Sequence, residues 1–167
     1  MKKIIHIILI VFSFALIASA QKNAKKETVL HIEVESGKTL DLTAKDLAKF
    51  TRRDAKAKGH DEKDSVYSGF NLSDVLLLAG AKLGAGEMRG KELGAYVLVE
   101  AADGYKAVFA VAEIAPEFTD KIVLLADTRD GKPLDEKNGV WQIIVPDEKK
   151  HGRWVRQVVA LKIRKAQ

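Results

Sequence analysis

Short segments of the chain, either alternating between apolar and polar residues or continuously apolar, predict β-strands. The predicted strands are Thr28–Val34, Lys38–Leu42, Ala95–Ala101, Tyr105–Ala110, Lys121–Ala126, Val140–Val145 and Val158–Ile163. Asp103-Gly104 separates two of them by the dipeptide that favours a tight hairpin. The chain is therefore rich in short strands.

A helical period occurs at fewer places. Thr43 with Asp46 three residues later is close to a capping box and predicts a short helix. A second helix is predicted over Leu72–Ala79, where the apolar residues fall on one face and Gly80 suits the position after the helix. A short helical turn is predicted at Val111–Ile114. Helices scattered among strands indicate an α+β fold with a mixed β-sheet and a few short helices.

One stretch between the predicted helices differs from the rest. Thr51–Asp64 contains no large apolar residue. It predicts either a surface hairpin or a mobile loop. No repeat or linker divides the chain, so residues 21–167 are predicted to form a single domain.

The first twenty residues have the pattern of a signal peptide. Lys2 and Lys3 precede an apolar stretch over Ile4–Ile17, and Ala18-Ser19-Ala20 has the small-x-small form of a cleavage site. The apolar stretch is shorter than the roughly 20 residues that a membrane-spanning helix needs. We expect cleavage after Ala20, a periplasmic or secreted protein, and no membrane span in the mature chain.

Charge and cysteine content exclude several classes of function. The chain has 28 Lys and Arg, 23 Asp and Glu, and no Cys. Both signs of charge are interleaved, without the one-sided basic stripe of a nucleic-acid-binding protein. Without Cys there is no disulfide, no iron–sulfur cluster and no Cys-ligated metal. The basic run Lys22–Lys26 is expected to be a solvated tail.

The histidines carry no metal-site spacing. His31 lies in a predicted strand and is expected to face outward with neighbouring glutamates. His60 lies among Asp61, Glu62 and Asp64, which favours a solvated loop over an ion site because the spacing of a calcium loop is absent.

The segment before the last strand concentrates positive charge. Lys149, Lys150, His151, Arg153 and Arg156 lie within eight residues. The segment also contains Gly152, which allows close backbone approach, and Trp154, which offers a flat apolar surface. This pattern is typical either of an oxyanion site or of a solvated basic loop.

Four stretches in this order resemble the molybdopterin-binding domain of the sulfite-oxidase type. They are SGFNLSDVLLLAGA, ADGYKAVFAVAEI, IVLLADTRDGKPL and WQIIVPDEKKHGRWVRQVVALKI. The resemblance covers about Val29 to Lys165 and is greatest to the small, exported, stand-alone versions of the domain. It implies an α+β fold with mixed sheets.

The resemblance also implies site residues. The hairpin with Tyr105 leads to a strand that lines the pocket. The closing segment is expected to wrap the phosphate of the pterin through five residues: His151, Gly152, Arg153, Val155 and Arg156. The cofactor implied is molybdopterin.

The sequence departs from the family where the metal is held. The enzymes of the family ligate molybdenum through a Cys before the helix that corresponds to Leu72–Ala79, and here that stretch, Thr51–Val66, has none. Three hypotheses stay open. The chain is a non-catalytic domain that binds a small anionic, pterin-like ligand or a periplasmic partner protein. It is a molybdopterin-dependent oxidoreductase whose metal is held by the pterin dithiolene. Or it is an interaction module whose pocket is filled by side chains.

Overall fold

A computed structural model describes residues 28–84 and 86–166. The predicted leader, residues 1–20, and the basic run Lys22–Lys26 lie outside these residues. No helix within the two described ranges has the length and apolar character to cross a membrane.

Over the described residues the chain forms ten strands, two α-helices and three short 3-10 helices. The strands are β1 (Leu30–Glu33), β2 (Thr39–Leu42), β3 (Arg53–Lys58), β4 (Asp64–Asn71), β5 (Ala95–Ala101), β6 (Lys106–Ala110), β7 (Leu124–Arg129), β8 (Lys132–Pro133), β9 (Gln142–Ile144) and β10 (Val158–Lys165). The helices are α1 (Ala44–Leu47) and α2 (Leu72–Leu78), and the 3-10 helices are Gly90–Gly94, Val111–Glu113 and His151–Arg153.

The first sheet has the order β2-β1-β10-β5-β6. Strands β1 and β10 run parallel, with His31 opposite Ala160, and the other pairs in the sheet are antiparallel. The predicted mixed sheet is confirmed, because one parallel pair joins the early and late parts of the chain.

The second sheet contains β3, β4, β7 and β8 in that order, with β9 also paired to β7. All of its pairs are antiparallel. One cluster of buried side chains includes residues of both sheets and of α2, whose Leu72, Val75 and Leu76 are fully buried. The two sheets therefore share one apolar core.

Local signals in the sequence placed most elements correctly. Strand β5 has the predicted bounds, and Thr43 forms the predicted capping box with Asp46 at the start of α1. Gly80 follows α2 with φ of 90°, a backbone conformation that favours glycine. The two alternatives for Thr51–Asp64 are resolved in favour of a hairpin, because β3 pairs with β4 along six residues.

One predicted strand is displaced along the chain. The sequence predicts a strand over Lys121–Ala126, whereas β7 runs over Leu124–Arg129. The carbonyl of Val123 accepts a hydrogen bond from the backbone N–H of Leu72 at 2.8 Å. The residues before β7 therefore satisfy the first turn of α2, whose N–H groups lack partners within the helix.

We expect Gly69→Ala to destabilise the protein strongly. A Cβ at position 69 would lie 2.1 Å from the carbonyl oxygen of Leu125 and 2.6 Å from the Cα of Ala126, both backbone atoms of β7. Forcing β4 away from β7 should cost about 2–3 kcal/mol and lower Tm by on the order of 10 °C. Gly94→Ala is the control, because its Cβ would meet only the Ala166 methyl at 3.9 Å. Thermal melts in which both variants match the parent would contradict this packing.

Candidate functional site

The chain crosses from the second sheet to the first between β9 and β10. The backbone N–H of Ile143 donates to the carbonyl of Val155 at 2.8 Å, and the N–H of Val158 donates to the carbonyl of Trp141 at 3.0 Å. These bonds tie the residues before β10 to the strand before them. The segment that the sequence singled out as basic is therefore fixed along its length.

Three aromatic rings form the centre of the candidate site. The ring of His60 lies 4.5 Å from that of His151, and the ring of His151 lies 4.2 Å from that of Trp154, centroid to centroid. We call His60, His151 and Trp154 the His–Trp cluster. The indole of Trp154 is buried and its Nε1 donates to the carbonyl of Val145 at 3.1 Å. The indole is thus a rigid base under the two imidazoles.

His60 lies in an exposed loop, as the sequence predicts, at the tip of the β3–β4 hairpin. Its ring also packs on residues of the β9–β10 segment. The sequence did not predict this contact, because no local signal tells where a hairpin tip will dock.

Three adjoining hollows surround the cluster. One of about 270 Å³ is lined by His60, His151, Arg156 and the β5–β6 turn with Tyr105. A second of about 210 Å³ shares His60 and Arg156 with it, and a third of about 290 Å³ shares His151 and Trp154. The cluster and Arg156 therefore divide what would be one larger cleft.

Arg156 is the cationic group at this centre. Its Nε is buried and has no hydrogen-bond partner among the described residues. The next residue, Gln157, has φ of 48°, and a Cβ on Gly139 would lie only 2.8 Å from the Gln157 Cα. This close approach fixes the turn that aims Arg156 between two of the hollows.

Arg153 has a different environment, although it lies only three residues away. Its Nε donates to Glu148 at 2.6 Å, and its terminal nitrogens donate to Glu113 at 3.1 and 3.3 Å and to the Val108 carbonyl at 3.1 Å. Its guanidinium carbon also lies 4.4 Å from the centroid of the Phe109 ring. These contacts hold the Arg153 guanidinium against β6, so we describe Arg153 as a structural clamp on that strand. The role in ligand binding that the resemblance implies for Arg153 stays a prediction.

The other predicted site residues divide between the cleft and the core. The Tyr105 hydroxyl donates to the Gly152 carbonyl at 2.6 Å. Both residues line the hollow of about 270 Å³ that Arg156 also lines. Val155 is 1% exposed, so its side chain belongs to the core and only its backbone is near the cleft. His31 lies on β1, where its Nδ1 is 2.7 Å from Asp41, and lines none of the three hollows.

The local electrostatics favour a bound anion. Burial against its neighbours lowers the pKa of His60, and the positive charge of Arg156 adds to the effect, as do His151 and Lys137. The Asp61 carboxylate acts to raise the pKa of His60, but it only partly offsets the lowering, because Asp61 accepts hydrogen bonds from Arg129 at 2.8 and 3.0 Å. Sequence reasoning did not single out Lys137, which a long loop brings to the cleft.

The residues fit one part of the implied molybdopterin cofactor and not the other. The unpartnered Arg156 Nε suits a phosphate oxygen. For the metal, the chain has no Cys, and the sulfur of Met88 lines a separate hollow beside the end of β1. Within residues 28–84 and 86–166, no three His, Asp or Glu side chains converge as a metal-binding group. A protein-ligated molybdenum does not fit this site.

Comparison with known proteins supports the fold. The sulfane dehydrogenase SoxCD of Paracoccus pantotrophus matches with a TM-score of 0.65 at 22% sequence identity. The match covers 86% of this chain and 40% of that chain, so this chain spans less than half the length of its structural neighbour. No protein-family model matches the sequence. No curated protein matches it. The architecture is thus α+β with mixed sheets, and its fold is similar to that of part of SoxCD.

We expect Arg153→Gln to lower stability and Arg156→Gln to leave it almost unchanged. Loss of the Arg153 contacts with Glu113 and Glu148 should cost about 1–2 kcal/mol at neutral pH. Burial acts to raise the pKa of Glu113, but the hydrogen bonds from Arg153 and from the Ala110 backbone N–H, together with the Arg153 charge, outweigh it, and the pKa lies below its usual range.

The pH dependence has a defined sign. A carboxyl whose pKa is lowered on folding contributes stability above its unfolded pKa of about 4.3 and loses it as pH falls through the folded value. The difference in Tm between the parent and Arg153→Gln should therefore be full at neutral pH and shrink below about pH 4. An equal loss of Tm in both variants at pH 7 would contradict the separate roles of the two arginines.

Proposed function

We propose that this chain is an exported, non-catalytic domain that binds a small anionic ligand in the cleft around the His–Trp cluster and Arg156. The ligand binds without a Cys-ligated molybdenum. One observation carries the proposal: Arg156 lines two of the hollows, and no carboxylate among the described residues pairs with its guanidinium. A charge-assisted hydrogen bond from this guanidinium to an anionic acceptor would contribute about 1.5–3 kcal/mol to binding.

The charged groups around Arg156 support an anion rather than a cation as the ligand. The carboxylates near the cleft have partners of their own. Asp61 accepts from Arg129, Asp135 accepts from the Asn138 amide groups, and Glu148 accepts from Arg153. Lys137, in contrast, adds positive charge near His60. Around the second hollow, Arg129, Lys137 and Arg156 outnumber Asp61 and Asp135, whereas Asp103 offsets Arg156 around the first.

The proposed compartment is the periplasm or the cell exterior. Its support is the pattern of Lys2, Lys3 and Ala18-Ser19-Ala20 in the sequence. The mature chain would begin at Gln21, and the mass of protein recovered from the periplasm tests this assignment.

A second candidate function is an interaction module for a partner protein, with a cleft that its own side chains fill. The stacking of His60, His151 and Trp154 favours it, because these rings occupy the space between the hollows. Each hollow lies below the roughly 300–1,000 Å³ of ordinary ligand pockets. The two candidates differ in whether the isolated protein binds small anions at all.

We expect Arg156→Gln to weaken binding of small anions about 10- to 100-fold, the loss of one or two charge-assisted hydrogen bonds. Isothermal titration with sulfate and with 6-carboxypterin measures this. Arg53→Gln is the matched control, because Arg53 is exposed on β3 and lines none of the three hollows. Arg153→Gln should retain most of the affinity, since its guanidinium is held by Glu113 and Glu148.

Two outcomes would refute the proposal. If neither sulfate nor 6-carboxypterin binds the unaltered protein, the cleft is filled and the interaction module is correct. If both bind equally well to the parent and to Arg156→Gln, the site lies elsewhere.

Metal content separates the proposal from a molybdopterin-dependent oxidoreductase. We expect protein purified from the periplasm to contain far less than one molybdenum per chain, because the sequence has no thiolate to ligate it. Elemental analysis measures the ratio. Stoichiometric molybdenum that survives dialysis would establish the oxidoreductase, with the metal held through the pterin dithiolene.

A further inference from the structure

The two imidazoles of the His–Trp cluster face each other in the same cleft as a guanidinium. The ring centroids of His60 and His151 are 4.5 Å apart, and both residues line the hollow that Arg156 also lines. Protonating His60 would place a second positive charge beside that of Arg156 around the hollow. Such an arrangement is unfavourable when the hollow contains only water and favourable when it contains an anion.

We infer that the ligand is a compact, dianionic tetrahedral oxyanion of the sulfate or phosphate type, and that His60, whose ring packs on His151, takes up a proton when it binds. This inference rests on the proposed function and specifies its ligand class and its regulation. Arg156 supplies the permanent positive charge, and His60 supplies a charge that depends on pH.

The size of the cleft supports a compact ligand. The hollow between the two histidines and Arg156 has a volume of about 270 Å³, and the cluster separates it from its neighbours. Ligands of drug size occupy pockets of roughly 300–1,000 Å³. A tetrahedral oxyanion can enter the hollow without displacing the Trp154 indole, which is buried and hydrogen-bonded to Val145.

Charged groups also face the pair from the hairpin, from the β5–β6 turn and from the loops on either side of β9. On the hairpin, Asp61 is held by Arg129 at 2.8 Å, and Lys58 and Glu62 border the third hollow. On the β5–β6 turn, the Asp103 carboxylate accepts from the Tyr105 backbone N–H at 2.9 Å.

The loops on the other side add charges of both signs. Before β9, Asp135 is bonded to Asn138, and Lys137 is free of ion pairs among the described residues. After β9, Glu148 is bonded to Arg153, and Lys149 borders the third hollow. Tyr67 stays neutral, because burial raises its pKa. Asp61 and Glu148 are paired with arginines and are therefore poor counter-ions for a protonated His60, whereas Asp103 and Asp135 accept only from neutral amide groups.

Linkage gives the direction of the pH effect. Burial and then the Arg156 charge lower the pKa of His60 in the free protein. A dianion in the hollow stabilises the protonated imidazole and raises that pKa, so binding and protonation strengthen each other. Affinity should therefore increase as pH falls, by up to about tenfold per pH unit for each proton taken up.

The test is a sulfate titration by calorimetry at about pH 8.0, 6.5 and 5.5, in a buffer without other multivalent anions. Sulfate keeps the same charge over this range, so any pH dependence belongs to the protein. We expect the parent to bind about tenfold or more tightly at the lowest pH than at the highest. Repeating the titration in buffers of different ionisation enthalpy measures the proton uptake directly.

A variant assigns the effect to His60. His60→Gln should lose most of the pH dependence and retain the Arg156-dependent binding at high pH. His31→Gln is the matched control, because His31 lies on β1 against Asp41. NMR titration of the imidazole protons in the parent, with and without sulfate, shows the same coupling without any variant. Phenyl phosphate, added as a second ligand at about pH 8.0 where it is a dianion, tests for a phosphoryl group on a larger molecule, which would bind more tightly than sulfate.

Three results would overturn the inference. If sulfate binds through Arg156 with an affinity that does not change with pH, the coupling is wrong and the proposed function stands. If sulfate and 6-carboxypterin fail to bind at every pH, the proposed function fails as well. If Zn²⁺ or Cu²⁺ binds the two histidines and excludes sulfate, the pair is a metal site instead.

Discussion

The backbone between β9 and β10 determines the positions of His151, Trp154 and Arg156 in the cleft. Val155 and Val158 exchange hydrogen bonds with Ile143 and Trp141, and the carbonyl of Gln157 accepts from the N–H of Ala102 in the β5–β6 turn. Buried backbone groups need partners, so this segment has little freedom to follow another path. Its path places Trp154 in the core beneath the imidazoles, and it places Arg156 beside the tip of the β3–β4 hairpin. The candidate site thus depends on the junction of the two sheets.

Two arginines in this junction show how environment decides the role of a residue. Arg153 meets two carboxylates, a carbonyl and an aromatic ring, so its donors are used within the protein. Arg156 leaves its buried Nε without a partner among the described residues. A guanidinium with its own carboxylates gains little from a further anion, whereas one without them gains a charge-assisted hydrogen bond. Positive charge in the sequence is therefore a weaker guide to a ligand site than the number of donors that remain free.

The fold and the chemistry of the site carry different information. Similarity to a solved structure at 22% identity establishes the α+β architecture. The same architecture supports many functions, and the function depends on the side chains at the site. Here those side chains are two imidazoles, an indole and a guanidinium, with no thiolate anywhere in the sequence. They suit a hard, oxygen-bearing anion better than a high-valent metal that needs sulfur from the protein.

The sequence by itself determined the strands with alternating burial, the capping box at Thr43, the hairpin at Asp103-Gly104 and the absence of sulfur ligands. These features depend on neighbours in the chain or on composition. It also located the basic segment that contains His151 and Arg156. Only the tertiary structure decided that His60, 91 positions earlier in the numbering, packs on His151, that Arg153 is a clamp and that Arg156 is free of carboxylate partners among the described residues. The physical reason is that these contacts join residues on different sheets and loops, and local periodicity contains no information about which hairpin tip meets which loop.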